Sequence, residues 1–153
     1  AAIVALYVYK AAIKILETNS SFKVISFDKE EWEKQIIKVY GACSDSIVKL
    51  ENEVHKNDTQ KAAARMQNVL ANKIQIIELM KTLPNIDSMI TRMKKIKEPY
   101  LPEQIEITSE LLHNAIIYAK EMRNRYGVLQ MLFDCGELKK TADEVCTEIS
   151  NLK

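Results

Sequence analysis

Glycine is scarce in this chain, with three among 153 residues, so there is no material for the glycine-rich loop that cradles a phosphate. Proline is equally scarce, also three, which leaves long stretches free of helix breakers. Charge of one sign is not in excess: 22 basic and 21 acidic residues give a net charge of +1. Nucleic-acid binding needs a strong basic excess on one face, so that class is set aside. The longest apolar run, Ala1 to Tyr9, is too short to span a bilayer, and it lacks the basic flank of a signal peptide. The chain opens without methionine. The start reads as a cut, so the sequence does not say whether residues precede Ala1.

Cysteine and histidine are too few and too scattered to build a site. Cys43, Cys135 and Cys146 make an odd count without metal-ligand spacing, and all three fall in predicted helices. Cys43 and Cys135 sit on apolar stripes, so both are expected to be buried, reduced thiols in a cytoplasmic protein. Glu110 and His113 form one Glu-x-x-His pair. Di-iron bundles use that spacing twice, and the other histidine, His55, has Glu51 at a different spacing. On a helical wheel Glu110 falls opposite the Leu112/Ala119 stripe and His113 about 120° from its centre, so the pair is expected to face water. No nucleophile stands near a base in sequence. The expectation is a protein that is not an enzyme and binds no metal or cofactor.

What the chain does have is helical periodicity. Lys, Glu, Ile, Leu and Ala dominate, which points to an all-α protein. Helix one is predicted over about Ala2 to Glu17 and is apolar on all sides through Tyr9. After an irregular stretch from Thr18 to Phe27, in which Lys23 to Ile25 reads as a short extended piece, comes the strongest signal. Asp28 and Glu31 make a capping box, and Phe27 and Trp32 a hydrophobic staple. Trp32, Ile36, Tyr40, Cys43, Ile47, Leu50 and Val54 then recur at three and four residues. That predicts one long helix, about seven turns, ending near Asn57. A third helix is predicted from Asp58 or Thr59 to Leu83, with Ala63, Met66, Leu70, Ile74, Ile77 and Met80 as its stripe. A short fourth follows from about Asn85 to Lys97. Pro102 begins a fifth, with Ile105, Leu112, Ala115, Ile116, Ala119 and Met122 inward. Its continuation into the 150s carries a heptad: Val128, Met131, Cys135, Leu138, Ala142, Val145, Ile149 and Leu152. A break or kink is expected between Gly127 and Gly136, where Asp134 with Glu137 reads as a second capping box and Phe133 with Leu138 as a second staple. The fold class is thus a bundle of about five to six amphipathic helices, with a short fourth and long second and C-terminal helices, as a single domain over 1–153.

Ala5-Leu6-Tyr7, Ala12-Ile13 and Leu16 resemble the second helix of the trafficking modules called MIT domains, with the Trp32–Leu50 helix standing for their third. The resemblance implies a groove between helices that holds an amphipathic peptide. This chain departs from that pattern in lacking a first helix and in its long Thr18 to Phe27 connection. Residues 57–93 similarly resemble the core of ESCRT-III subunits. Neither resemblance assigns the chain to a family.

A bundle without site chemistry points to a non-catalytic interaction module of scaffold or adaptor type. Helix one carries more apolar surface than one neighbour covers, and the heptad keeps its register to the chain end, where a terminal helix of a closed bundle could fray. Ile3, Leu6, Tyr7, Ile149 and Leu152 are therefore the expected partner-binding or self-association residues, unless they pack on each other. The alternative is a bundle that meets a membrane through the apolar N-terminus or through Arg92, Lys94, Lys95 and Lys97, a basic cluster interleaved with Met93 and Ile96. The same cluster is also what the solvated face of a short helix looks like.

Overall fold

The computed structural model describes residues 1–152 and is all-α, with no strand among them. Lys153, the last residue of the predicted domain, lies outside the described residues.

Helix α1 (Ala2–Thr18) buries Ile3, Tyr7, Val8, Ala12 and Leu16. Its last carbonyls are satisfied locally: Thr18 Oγ1 donates to the Lys14 carbonyl at 2.8 Å and Asn19 Nδ2 to that of Ile15 at 2.8 Å. The stretch after it crosses the bundle without forming a strand. It is pinned where Ile25 and Lys23 back onto Gly136, and a Cβ at Gly136 would sit 3.2 Å from Ile25 Cγ2. Gly136 also has φ +78°, so both conformation and space require glycine there.

The long second helix is two helices. Asp28 caps α2 (Lys29–Tyr40), its carboxylate accepting from the Glu31 N–H, and the Phe27 and Trp32 rings meet edge-on at 5.7 Å. Glu31 does not complete the box, because its side chain accepts from Gln35 instead. Gly41, with φ +50°, ends α2. A 3₁₀ turn, Gly41–Cys43, then leads into α3 (Ser44–Val54), and α2 and α3 pack as a hairpin. The stripe holds only at Trp32, Ile36 and Ile47, because the turn shifts the phase, and Cys43 is exposed rather than buried.

The third helix bends at Asn72 into α4 (Thr59–Ala71), capped by Asp58 as expected, and α5 (Lys73–Lys81). The stripe slips with it: Ala62, Met66, Val69 and Ile77 are buried, whereas Ile74 is exposed. Helix α6 (Ile86–Lys95) is the short fourth helix, capped by Asn85.

Pro102 does not open a long helix. Pro102–Ile105 is a 3₁₀ turn that Glu106 ends in the left-handed region, and Thr108 caps α7 (Ser109–Tyr118) by accepting from the Leu111 N–H at 3.2 Å. A further 3₁₀ turn, Ala119–Met122, ends α7. Helix α8 (Val128–Asp134) follows the loop at 123–127, and α9 (Leu138–Ser150) closes the fold. The predicted second capping box is absent, because the Asp134 carboxylate turns inward to Arg65. The heptad nevertheless survives the break at Gly136: Met131, Cys135, Leu138, Ala142, Val145 and Ile149 are all buried.

Helix α9 packs against both α1 and α7, and the main core spans α1, α4, α5, α7, α8 and α9. A second, smaller core lies in the hairpin: Trp32, Ile36 and Ile47, with Phe27, Tyr40, Val48 and Tyr118 around them.

The thiols divide accordingly. Cys135 is 5 % exposed, and burial pushes its pKa up to about 11. In the native protein Cys43 should react with a thiol reagent at near the denatured rate and Cys135 far more slowly. Mass-resolved alkylation checks this, and equal native rates would place Cys135 outside the core.

Candidate functional site

Two features of this fold have the makings of a site. The first is an apolar groove of about 540 Å³. One wall is the face of α1 bearing Ala1, Val4, Ala5, Val8 and Tyr9; the other is the face of α7 bearing Leu111, Leu112, Ala115 and Ile116, continued by Ala119. Val128 and Leu129 of α8 and the segment from Pro99 to Ile107 complete it. Both helical walls follow the three- and four-residue spacing of a packing face. From Ala1 to Tyr9 the α1 wall is about 12 Å long at 1.5 Å per residue. Among the described residues, the only polar side-chain atoms in the lining belong to Tyr9 and Tyr100. Leu111 and Ile105 remain 54 % and 53 % exposed, so the groove lies open to solvent.

The second feature is a buried ionic cluster, which periodicity gave no hint of. Lys56 Nζ lies 3.1 Å from Glu121 Oε2 and also donates to the Lys120 carbonyl. Lys120 Nζ donates to Glu121 Oε1, donates to Asn57 Oδ1 at 2.8 Å, and stands 3.8 Å from the centre of the Phe133 ring. Asn57 Nδ2 donates to Glu121 Oε2 at 3.2 Å, and the Asn57 main-chain N–H donates to Glu51 Oε1 at 3.1 Å. Trp32 Nε1 donates to Glu121 Oε1 at 3.1 Å. Gln130 Nε2 joins Asn57 to Asp134, which Arg65 grips through two N–H groups at 2.6 and 2.8 Å. Three cations, Lys56, Lys120 and Arg65, thus face three anions, Glu51, Glu121 and Asp134.

Burial lowers the Lys120 pKa, against the pull of Glu121. Burial works to raise Glu121, but the Lys120 and Lys56 ammoniums and the bonds to Lys120 and Asn57 hold it below the ordinary carboxylate value. Glu51 is raised by burial, its bond from the Asn57 amide notwithstanding. Its Oε2 finds no hydrogen-bond partner among the described residues.

The turn at Ala119–Met122 explains why the stripe analysis missed these groups. Past Tyr118 the chain tightens from 3.6 to 3.0 residues per turn. Lys120 and Glu121 swing inward, while Ala119 and Met122, predicted to be inside, become exposed.

The expected partner residues are not brought together as a surface. Ile3, Tyr7 and Ile149 are in the main core, and Leu6 and Leu152 are partly buried. Leu6 borders an opening toward α5 and α6, and the surplus apolar surface of α1 lies on its other face, toward the groove. Arg92, Lys94, Lys95 and Lys97 are exposed, and the Lys94 ammonium stands 5.1 Å from the centre of the Tyr100 ring. Met93 packs toward the core while Ile96 is 67 % exposed. His113 is not paired with Glu110 at a metal site. Its Nε2 lies 3.0 Å from Asp143 Oδ1, tying α7 to α9, and among the described residues no cluster of His, Cys, Asp and Glu could hold a metal ion. No described helix is long and apolar enough to cross a membrane.

No family model matches the chain, and neither a curated protein nor a solved structure matches it significantly. The described lining of the groove includes no residue of the Trp32–Leu50 segment on which the MIT resemblance also rests.

Breaking the cluster by Glu121→Gln leaves two buried ammoniums without their carboxylate. It should cost about 3–5 kcal/mol. Chemical denaturation measures this, and a midpoint near wild type would show that the cluster is hydrated.

Proposed function

We propose that this chain is a non-catalytic helical interaction module that docks an amphipathic helix of a protein partner in the groove between α1 and α7. One observation carries the reading. Two helical faces, each apolar at packing spacing, confront an open space with two tyrosine hydroxyls as its only polar side-chain atoms among the described residues. An extended peptide would bury unpaired N–H and C=O groups against such walls. A helix pairs those groups internally and presents only side chains. The alanines at 1, 5, 115 and 119 leave room for its backbone to approach. A groove about 12 Å long accepts roughly two turns, which is the helix-in-groove mode with anchors at i, i+3, i+4 and i+7. Three free thiols suit a reducing compartment such as the cytosol.

A second reading rests on the four exposed cations at 92, 94, 95 and 97, which would lie against an anionic membrane surface.

The test uses the whole chain and a panel of fluorescein-labelled designed amphipathic helices with leucine and isoleucine anchors. Binding is read by anisotropy. Leu111→Asp and Ala115→Arg alter exposed groove positions and should leave the melting temperature near wild type. Each should weaken binding on the order of tenfold or more, as for a charge forced into a desolvated contact. Helices that fail to bind, or bind these variants as well as wild type, would overturn the groove reading. Salt-sensitive binding to phosphatidylserine-rich vesicles, lost on neutralising the four cations, would favour the membrane reading.

A further inference from the structure

We propose that the α2–α3 hairpin undocks from the bundle as a unit, parting along the polar seam formed by the buried ionic cluster. The hairpin has its own small core, to which the bundle lends Tyr118. Specific polar bonds tie it to the rest of the chain. Trp32 Nε1 donates to Glu121, the Tyr40 hydroxyl donates to the Tyr118 carbonyl at 2.8 Å, and the Phe27 N–H donates to Thr59 Oγ1 at 3.2 Å. Glu51, on α3, accepts from the Asn57 N–H with one oxygen and leaves the other buried and unpaired.

That unpaired oxygen makes the seam the weak join. Apolar contacts break with a loss spread over their area, whereas an ionised carboxylate oxygen without a donor regains its full hydration on opening. The joints permit the movement. On one side the chain from Asn19 to Asp28 has no regular structure, and on the other His55 sits in the left-handed region with φ +48°. Lys56, Asn57, Lys120 and Glu121 stay with the bundle or its joint, so opening separates Glu51 and Trp32 from them.

The charge of Glu51 sets the direction of any pH response. The groups facing it are Lys56 and Asn57 from the joint and Lys120 and Glu121 from the turn at 119–122. Their balance with burial raises its pKa when docked, so protonation favours docking as pH falls through that raised value. The groups that lower the Glu121 pKa, Lys120, Lys56 and Asn57, stay with it on opening, so Glu51 sets the response. Docking is therefore tighter below the raised Glu51 value than above it.

Native-state hydrogen exchange by mass spectrometry on the whole chain tests this, with Trp32, the single tryptophan, as an independent reporter through acrylamide quenching. At neutral pH, amides in residues 29–54 should be protected at least about tenfold less than those of α1 and α9, as for a separate low-stability unit. Glu51→Gln removes the unpaired charge at constant shape. It should raise protection in residues 29–54 severalfold, reduce quenching and leave α1 and α9 unchanged. Trp32→Phe removes the donor to Glu121 and should lower protection in that segment alone. One common protection limit for hairpin and bundle, or Trp32→Phe lowering both equally, would show that the hairpin opens only when the whole protein unfolds. Unchanged exchange in Glu51→Gln would show that the buried carboxylate is not what loosens the seam.

Discussion

The structure depends on α9 packing against both α1 and α7. Its buried positions, Leu138, Ala142, Val145 and Ile149, continue the side that Met131 and Cys135 begin in α8. Ala142 has no exposed surface, and its small side chain lets the neighbouring helices approach closely. Helix α9 is thus the common partner of α1 and α7, whose facing walls leave the groove open. The same packing turns Ile3, Tyr7 and Ile149 inward and turns the alanine-rich side of α1 toward solvent.

The bundle and the hairpin are held by different physics. The bundle buries aliphatic side chains, a non-directional attraction that tolerates exchange of one shape for another of like volume. The hairpin joins a balanced set of three cations and three anions, to which it contributes Glu51, and its Trp32 indole bonds to Glu121 in that set. Replacing such a set by well-packed apolar groups often costs nothing in stability. Its value lies in placement: Asn57 and Lys120 hold Glu121 where its Oε1 accepts from Trp32 Nε1, and the hairpin docks where that bond is made.

Helical class, the caps at Asp28 and Asp58, and the inward heptad from Met131 to Ile149 were legible in the chain because each is a local pattern. Helix length was not. A stripe at three and four residues continues on paper through Gly41 and Asn72, yet the backbone breaks at the first and bends at the second. Each phase shift then moves later positions to another face, which is how Cys43 and Ile74 came to be exposed. Pro102 was read as a helix start because proline suits a first turn; the Thr108 hydroxyl, six residues on, supplies the cap that starts the helix. The groove was half legible. The excess of apolar surface on α1 pointed to the right helix, but choosing its free face requires knowing where α9 lies. The ionic cluster was not legible, since Glu121 meets partners 64 and 89 residues away and no periodicity links them.

The packing of α9 on α1 also has a consequence for biosynthesis. Some 130 residues separate the two helices along the chain, so α1 leaves the ribosome long before its partner exists. At roughly 5–20 residues per second the interval is on the order of ten seconds. Throughout it the most apolar helix of the protein has neither α9 nor α7 to cover it. A nascent chain in that state is a substrate for chaperones that hold exposed aliphatic segments. Folding of the N-terminal half therefore waits on translation of the C-terminal half.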